Sequence, residues 1–200
     1  MLYQPCSLIL LCGLPGVGKT LATAKLMKEL TDFVLIDQNQ IRRDLKYTTS
    51  PVIIHDDPRF KDRDIQATDK MLRYAFQTGK GVVYDSVNRL NSRRHQLYGI
   101  ASSWEAQVIV LEIVCPEEIS KSRIRTRPDG DGLLSDPNDP AIYDKVKIGW
   151  DSVEEDFKDM ILSHVSHIRY DSYENKLVMV IKRKESENMI SQINAILTNS

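Results

Sequence analysis

The chain has 200 residues, of which 42% are hydrophobic and 28% are charged, and its formal net charge is −1. This balance predicts one domain over residues 1–200 with a substantial core, and it gives no support for a general nucleic-acid-binding surface, although a local basic groove stays open. No apolar run approaches the roughly 20 residues of a membrane span, and the first residues lack the basic segment of a secretory signal, so we expect a cytoplasmic protein without a membrane partner.

The cysteines agree with this expectation. Cys6, Cys12 and Cys115 are too few for a disulfide framework, and they lie in or beside apolar runs that are typical of strands. We therefore expect buried thiols in a reducing compartment rather than metal ligands.

The first predicted element is an apolar strand over residues 7–11 that leads into the sequence Gly-Leu-Pro-Gly-Val-Gly-Lys-Thr at 13–20. A strand followed by this pattern and then by a helix, predicted over 21–30, is the context of a phosphate-binding P-loop. The glycines let main-chain N–H groups form a nest for phosphate oxygens, at the positive end of the helix. We expect Lys19 to reach the β- and γ-phosphates of a nucleotide and the Thr20 hydroxyl to bind Mg²⁺. The predicted nucleotide-binding residues are Gly13, Gly16, Val17, Gly18, Lys19 and Thr20.

Two further predicted strands each end in an aspartate. Residues 33–36 run into Asp37, and residues 81–84 run into Asp85. Asp85 is suited to orient Mg²⁺ or its waters, and Asp37 to accept a proton from an acceptor hydroxyl. In the alternative interpretation, Asp85 caps a turn and Asp37 only begins a helix.

The remaining pattern alternates helices and strands, with Gly79 as a helix stop. This alternation predicts an α/β fold in which helices cover both faces of a parallel sheet, with ligands at the carboxyl ends of the strands. Helices are predicted over 41–45, 61–77, 91–104, 117–126, mostly over 141–161, and over 187–197, strands over 107–114, 168–170 and 177–181, and irregular chain over 47–60 and 127–140.

Several basic residues are candidates for contacts with phosphate. Arg42 follows Asp37 and could hold an anionic acceptor or the transferring group. Arg123 and Arg127 share one helix face and lead into a loop rich in Gly and Asp, which is the arrangement of a lid that closes over developing negative charge. The alternative for all three is a solvated basic surface. Three more side chains, Arg93, Arg94 and His95, follow Asn88 and could flank the acceptor.

Two classes of nucleotide-binding protein are disfavoured. Asp85 is followed by Ser86 rather than by an acidic residue that would activate water, so the sequence disfavours a motor-type ATPase. The guanine-reading pattern Asn-Lys-x-Asp is also missing, because residues 175–178 read Asn-Lys-Leu-Val.

Taken in order, these stretches resemble the P-loop kinases related to the 5′-kinase domain of polynucleotide kinase, and more distantly chloramphenicol phosphotransferase, seryl-tRNA(Sec) kinase and zeta toxins. The resemblance spans about residues 7–171 and is carried by 13–20, by Asp37 with 41–45, by 82–88, by 116–118 with Arg123 and Arg127, by Ser135-Asp136 and by Ile142-Tyr143.

The resemblance implies a three-layer P-loop NTPase fold with a parallel, adenylate-kinase-like sheet of five strands and an arginine-bearing lid. It also implies ATP and Mg²⁺ as cofactors, with Arg123 and Arg127 as the lid arginines. The chain departs from the family at Asn39, where the proton-accepting aspartate usually stands, so either Asp37 takes that role or the acceptor chemistry differs. Residues 177–181 would add a strand at the edge of the sheet.

Three functions stay open at this point. The first is a kinase that transfers the γ-phosphoryl group to a hydroxyl, with Lys19, Asp37, Arg123 and Arg127 as catalytic residues and with Asp37, Arg42 and Asn88 contacting the acceptor. Its acceptor is either a small molecule or a nucleic-acid 5′-hydroxyl. The second is an ATP-binding regulatory module with weak hydrolysis, and the third is a degenerate kinase fold that serves as a scaffold.

Overall fold

A computed structural model describes residues 6–44, 58–127, 138–158 and 162–199. Within these ranges six strands form one sheet in the order β2-β3-β1-β4-β5-β6, and every pairing is parallel except that of β6 with β5. The strands are β1 Ser7–Cys12, β2 Phe33–Asp37, β3 Gly81–Asp85, β4 Gln107–Val114, β5 Val165–Asp171 and β6 Lys176–Ile181. The predicted parallel sheet and its added edge strand are confirmed.

Helices cover both faces of this sheet. They are α1 Lys19–Glu29, α2 Gln38–Asp44, α3 Pro58–Gln77, α4 Asn91–Ser102, α5 Glu117–Arg125, α6 Ala141–Ile148 and α7 Glu187–Thr198, with short 3-10 helices at Val153–Phe157 and Lys184–Ser186. Within the described ranges, none of these helices is both long and apolar enough to cross a bilayer.

Alternating side chains of the central strands feed two cores. On β1, Leu8 and Leu10 pack with α3 and α4, whereas Ile9 and Leu11 pack with α1 and α7. All four are fully buried, because β1 lies between β3 and β4 and both of its faces are covered. The uninterrupted apolar run of this strand is the expected sequence of a central parallel strand. The three-layer prediction is confirmed.

Several predicted boundaries are wrong. Helix α2 begins at Gln38 rather than at residue 41, and β5 begins at Val165 rather than at residue 168. Helix α3 begins at Pro58 rather than at residue 61, since proline is well tolerated in the first turn of a helix. The single helix predicted over 141–161 is instead α6, which ends at Ile148 before Gly149, followed by the 3-10 helix. Residues 45–57, 128–137 and 159–161, which include most of the predicted irregular segments, lie outside the described residues.

A buried ion pair explains why the chain turns after α6. Arg94 of α4 is fully buried and donates two hydrogen bonds, both of 2.6 Å, to the carboxylate of Asp156 in the 3-10 helix. Tyr98 donates to the same carboxylate at 2.8 Å, and Arg94 also donates to the carbonyl oxygen of Ser152 at 3.1 Å. The expectation that Arg94 flanks the acceptor is therefore wrong: it fixes the chain that returns from α6 against α4. His95 also points to this network, with Nε2 3.8 Å from Asp156.

Replacing Arg94 should strongly destabilise the protein. Arg94→Met leaves the Asp156 carboxylate buried without its cation, so we expect the free energy of unfolding to fall by about 3–5 kcal/mol in urea denaturation. Arg125→Met, at an exposed position of α5, is the matched control and should change it by less than about 0.5 kcal/mol. Equal small losses in both variants would contradict the assigned role.

Candidate active site

The glycine-rich loop between β1 and α1 is built by close approach and by unusual backbone angles. Gly16 and Gly18 have φ angles of 81° and 97°, which favour glycine, and Gly18 caps the N-terminus of α1. A Cβ atom at Gly16 would collide with the carbonyl oxygen of Ser120 in α5. The loop is thus pressed against the helix that carries Arg123.

Lys19 lies inside this loop. Its Nζ donates to the carbonyl oxygens of Gly13 at 2.9 Å and of Leu14 at 3.0 Å. The pKa of Lys19 is lowered to about 8, chiefly by burial; the charge of Asp85 opposes this shift and the charge of Arg127 adds to it. An ammonium group held by loop carbonyls can exchange them for phosphate oxygens, whose negative charge would raise the pKa of Lys19 again.

Asp85 lies at the end of β3, beside the loop. Its Oδ2 accepts a hydrogen bond from Thr23 at 2.7 Å. Burial raises the pKa of Asp85, while Thr23 and the charge of Lys19 pull it down. Thr20, the other predicted metal ligand, is exposed at the start of α1. A hydroxyl and a carboxylate are oxygen ligands of the kind that Mg²⁺ takes beside phosphates, so the residues present fit the ion.

Thr23 was missed in the sequence, although it lies one turn beyond Lys19 and Thr20 on α1. A threonine at i+3 or i+4 from the motif lies on the same helix face, and this spacing could have identified it.

Asp37 lies next to Asp85, because the two residues are register partners in the β2–β3 pairing. Its Oδ1 accepts from the backbone N–H of Asn39 at 2.8 Å, and its Oδ2 lies 3.7 Å from Arg43. Asp37 therefore ends β2, and its side chain accepts from the first turn of α2. Its proton-accepting role stays a prediction. The Asn39 side chain is exposed.

Two of the expected acceptor contacts have partners in the scaffold. Arg42 donates to the buried Asp64 of α3 at 2.8 Å. Asn88 is buried with φ 48°, and its Nδ2 donates to the carbonyl oxygen of Leu11 at 2.7 Å. Arg93 is also paired, with Asp69 at 3.0 Å. Contact with an acceptor stays a prediction for Arg42 and Asn88.

The arginines of α5 and its end come close to the loop. Arg123 donates to the Ser172 hydroxyl at 3.0 Å, and Ser172 in turn donates to the carbonyl oxygen of Val17 at 2.6 Å. Arg127 is near enough to Lys19 for its charge to lower the pKa of that lysine. Ser172 was missed by sequence reasoning, and its signal is its place just after the end of β5, where other strands carry site residues.

The arrangement therefore separates charge around the loop. Lys19, Arg123 and Arg127 surround the glycine-rich loop, whereas Asp37 and Asp85 lie together at the ends of β2 and β3. Such a site can bind a polyphosphate at the cationic end and hold a hydroxyl near the carboxylates.

Comparisons with known proteins agree with this geometry. A family model described as an AAA domain matches residues 8–142. No curated protein matches the chain. Similar solved structures include a candidate kinase from Chloroflexus aurantiacus, at 19% identity and TM-score 0.62, with 94% of this chain and 96% of that chain covered.

Two further structures share the fold. One is from the PezAT toxin–antitoxin system of Streptococcus pneumoniae, at 16% identity and TM-score 0.63, with 98% of this chain and 87% of that chain covered. The other is the APS kinase of Mycobacterium tuberculosis in complex with AMPPNP and APS, at 13% identity and TM-score 0.56, with 98% and 99% covered.

The pKa of Lys19 predicts a pH dependence for nucleotide binding. Phosphates favour the charged lysine, so binding of ADP should take up a proton near pH 8 and should weaken as the pH rises through about 8. Calorimetry in two buffers of different protonation enthalpy measures this uptake. Lys19→Arg keeps its charge at all these pH values and should lose the dependence. Proton release on binding would contradict the assigned electrostatics.

Proposed function

The chain belongs to the AAA domain family, and we propose that it is an ATP-dependent kinase that transfers the γ-phosphoryl group to a hydroxyl. We further propose that residues 1–200 are one kinase domain and that it works in the cytoplasm. The observation that supports the kinase best is the convergence of Lys19 and Arg123 on one glycine-rich loop, with two carboxylates at the adjacent strand ends.

In this proposal each residue at the cationic end has a definite task. The main-chain N–H groups of residues 13–20 cradle the phosphates, and Lys19 binds the β- and γ-phosphate oxygens. Thr20 and Asp85 would hold Mg²⁺, which supplies charge neutralisation when bound. Arg123 and Arg127 stabilise the charge that develops on the transferring group, and Ser172 positions Arg123 against the loop.

Asp37 is the proposed proton acceptor. Asp37 lies beside Asp85, the proposed metal ligand, at the carboxyl ends of neighbouring strands. Its Oδ2 lies 3.7 Å from Arg43, so this oxygen is the one proposed to accept the proton. Asn39 cannot take up a proton, so it cannot perform this step. Arg42 and Asn88 complete the proposed acceptor side, Arg42 from its pair with Asp64 and Asn88 from its contact with β1.

The acceptor is either a small molecule or a nucleic-acid 5′-end, and the net charge of −1 favours the small molecule. A regulatory ATP-binding module is the second candidate, and Asn39 in the usual aspartate position favours it. The two differ in one measurement, since only a kinase moves the label of γ-labelled ATP onto an acceptor.

Removal of the Lys19 ammonium should abolish turnover. Lys19→Met should reduce ADP formation by at least about 10²-fold, because it removes a preorganised charge from the transferring phosphate. Lys28→Met, at an exposed position of α1, is the control and should keep wild-type turnover. Unchanged ADP formation in Lys19→Met would reject the site.

Replacement of Asp37 should separate transfer from nucleotide binding. Asp37→Asn should lower transfer of labelled phosphate by about 10²–10⁴-fold while calorimetry gives an unchanged affinity for ATP. Asp32→Asn, at an exposed position just before β2, should change neither quantity.

The acceptor screen for this test uses alcohol metabolites and 5′-hydroxyl oligonucleotides. Oligonucleotide binding that falls steeply with added salt would favour nucleic acid. ADP formation by the wild type with no labelled product in either set would support the regulatory module.

A further inference from the structure

Helix α1 carries a buried hydroxyl to which the proposed reaction gives no task. Thr23 is only 5% exposed, and it lies one turn after Lys19 and Thr20 on the same face of the helix. Helix α1 packs against β3, the strand that ends at Asp85. The two proposed metal ligands, Thr20 and Asp85, therefore belong to two elements that meet at Thr23.

The Thr23 hydroxyl is committed to Asp85. Its Oγ1 donates to Oδ2 of the carboxylate at 2.7 Å, a distance that is typical of a hydroxyl bound to a charged oxygen. Among the described residues, Oδ1 of Asp85 has no hydrogen-bond partner. One carboxylate oxygen is therefore fixed, and the other is available to a metal ion or to its waters.

Other groups near the loop do not fix this carboxylate. Nζ of Lys19 donates to the carbonyl oxygens of Gly13 and Leu14, and Thr20 is exposed at the start of α1. Of the side chains that the structure describes, Thr23 alone donates a hydrogen bond to Asp85. The orientation of the carboxylate thus depends on one hydroxyl group.

Both ends of the contact are rigid. Thr23 is β-branched and lies in the second turn of a helix, so few side-chain rotamers are open to it. Asp85 directly follows Tyr84, which is buried and is the register partner of Leu10 in β1. A rotation of the Asp85 carboxylate away from its present position would break the hydrogen bond with Thr23.

We infer that Thr23 is a positioning residue, which holds Asp85 for Mg²⁺ and makes the site favour Mg²⁺ over Ca²⁺. The inference rests on the proposed kinase function, from which it takes Thr20 and Asp85 as metal ligands. Mg²⁺ requires oxygen ligands at about 2.0–2.1 Å in nearly ideal octahedral geometry, whereas Ca²⁺ accepts about 2.3–2.6 Å and irregular geometry. A fixed carboxylate suits the stricter ion, and a carboxylate that can rotate suits Ca²⁺ as well.

The test measures how much each ion strengthens nucleotide binding. Calorimetry gives the affinity for AMPPNP in excess Mg²⁺, in excess Ca²⁺ and in EDTA, and the gain over EDTA is the contribution of the ion. Thr23→Val keeps the shape of the side chain and removes the donor. The gain from Mg²⁺ should fall about tenfold and the gain from Ca²⁺ by less than about twofold. The affinity in EDTA should not change, because Lys19 and the glycine-rich loop are intact.

Three further variants separate positioning from a structural role. Thr23→Ser keeps the donor and should retain the gain from Mg²⁺ to within about twofold. Thr23→Ala removes the donor without placing a methyl group beside the carboxylate, and it should behave like Thr23→Val. Thr68→Val is the matched control, since Thr68 is fully buried in α3 and its hydroxyl donates to the carbonyl oxygen of Asp64 at 2.9 Å. It should lower stability and keep the preference for Mg²⁺.

Three results would overturn the role of Thr23. The first is an unchanged gain from Mg²⁺ in both Thr23→Val and Thr23→Ala. The second is a loss of the same size for Mg²⁺ and Ca²⁺, which would show that the hydroxyl does not set the preference. The third is an equal loss in Thr23→Ser and Thr23→Val, because serine keeps the hydrogen-bond donor.

These results are distinguishable from a failure of the kinase itself. Labelled product from wild-type protein, together with any of the three results, would overturn the role of Thr23 and leave the kinase intact. A Thr23-dependent preference for Mg²⁺ without labelled product from any acceptor would support the positioning of Asp85 and overturn the kinase. Failure of wild-type protein to bind AMPPNP would overturn both.

Discussion

The parallel pairing of β1 with both β3 and β4 is the constraint on which the site depends. It gives Leu8 of β1 two register partners, Val82 in β3 and Val108 in β4, and it brings the carboxyl ends of all three strands to one edge. The loop that follows β1 must therefore turn within a confined space, where its first glycine donates to the carbonyl oxygen of Val87. The phosphate nest and the Asp85 carboxylate are neighbours because the sheet is parallel and not because their sequences are close.

A second set of contacts joins the returning chain to this edge. Arg94 donates to the carbonyl oxygen of Asn88, while the Asn88 side chain donates to that of Leu11 in β1. The same arginine holds Asp156, so one buried guanidinium connects β1, the loop after β3 and the 3-10 helix. Trp150 precedes that helix, so its position beside the end of β4 also depends on this buried ion pair.

The sequence predicted what local patterns determine. The apolar run before Gly13 identified a central strand of the sheet, because buried parallel strands are uniformly apolar. The aspartates that end β2 and β3 identified the edge that carries the candidate site. It did not predict Thr23, Ser172 or Arg94, whose roles come from partners 62, 155 and 62 residues away. The prediction of helix over most of 141–161 is wrong for the same reason: the pairing of Asp156 with Arg94 of α4 cannot be inferred from local periodicity.

The charge pattern of the site favours transfer over hydrolysis. A hydrolase needs a base that activates water beside the phosphate, but the residue after Asp85 is Ser86, whose hydroxyl donates to the Gln38 side chain. The next carboxylate in the register is Asp37, which ends the outer strand β2 beside Asp85, and the acceptor of the proposed reaction would lie between it and the nucleotide phosphate. Arg123, held by Ser172 on the opposite side of the loop, can approach the phosphate from the other direction. Cations on one side and a separated carboxylate on the other form an arrangement that suits an acceptor with a hydroxyl of its own.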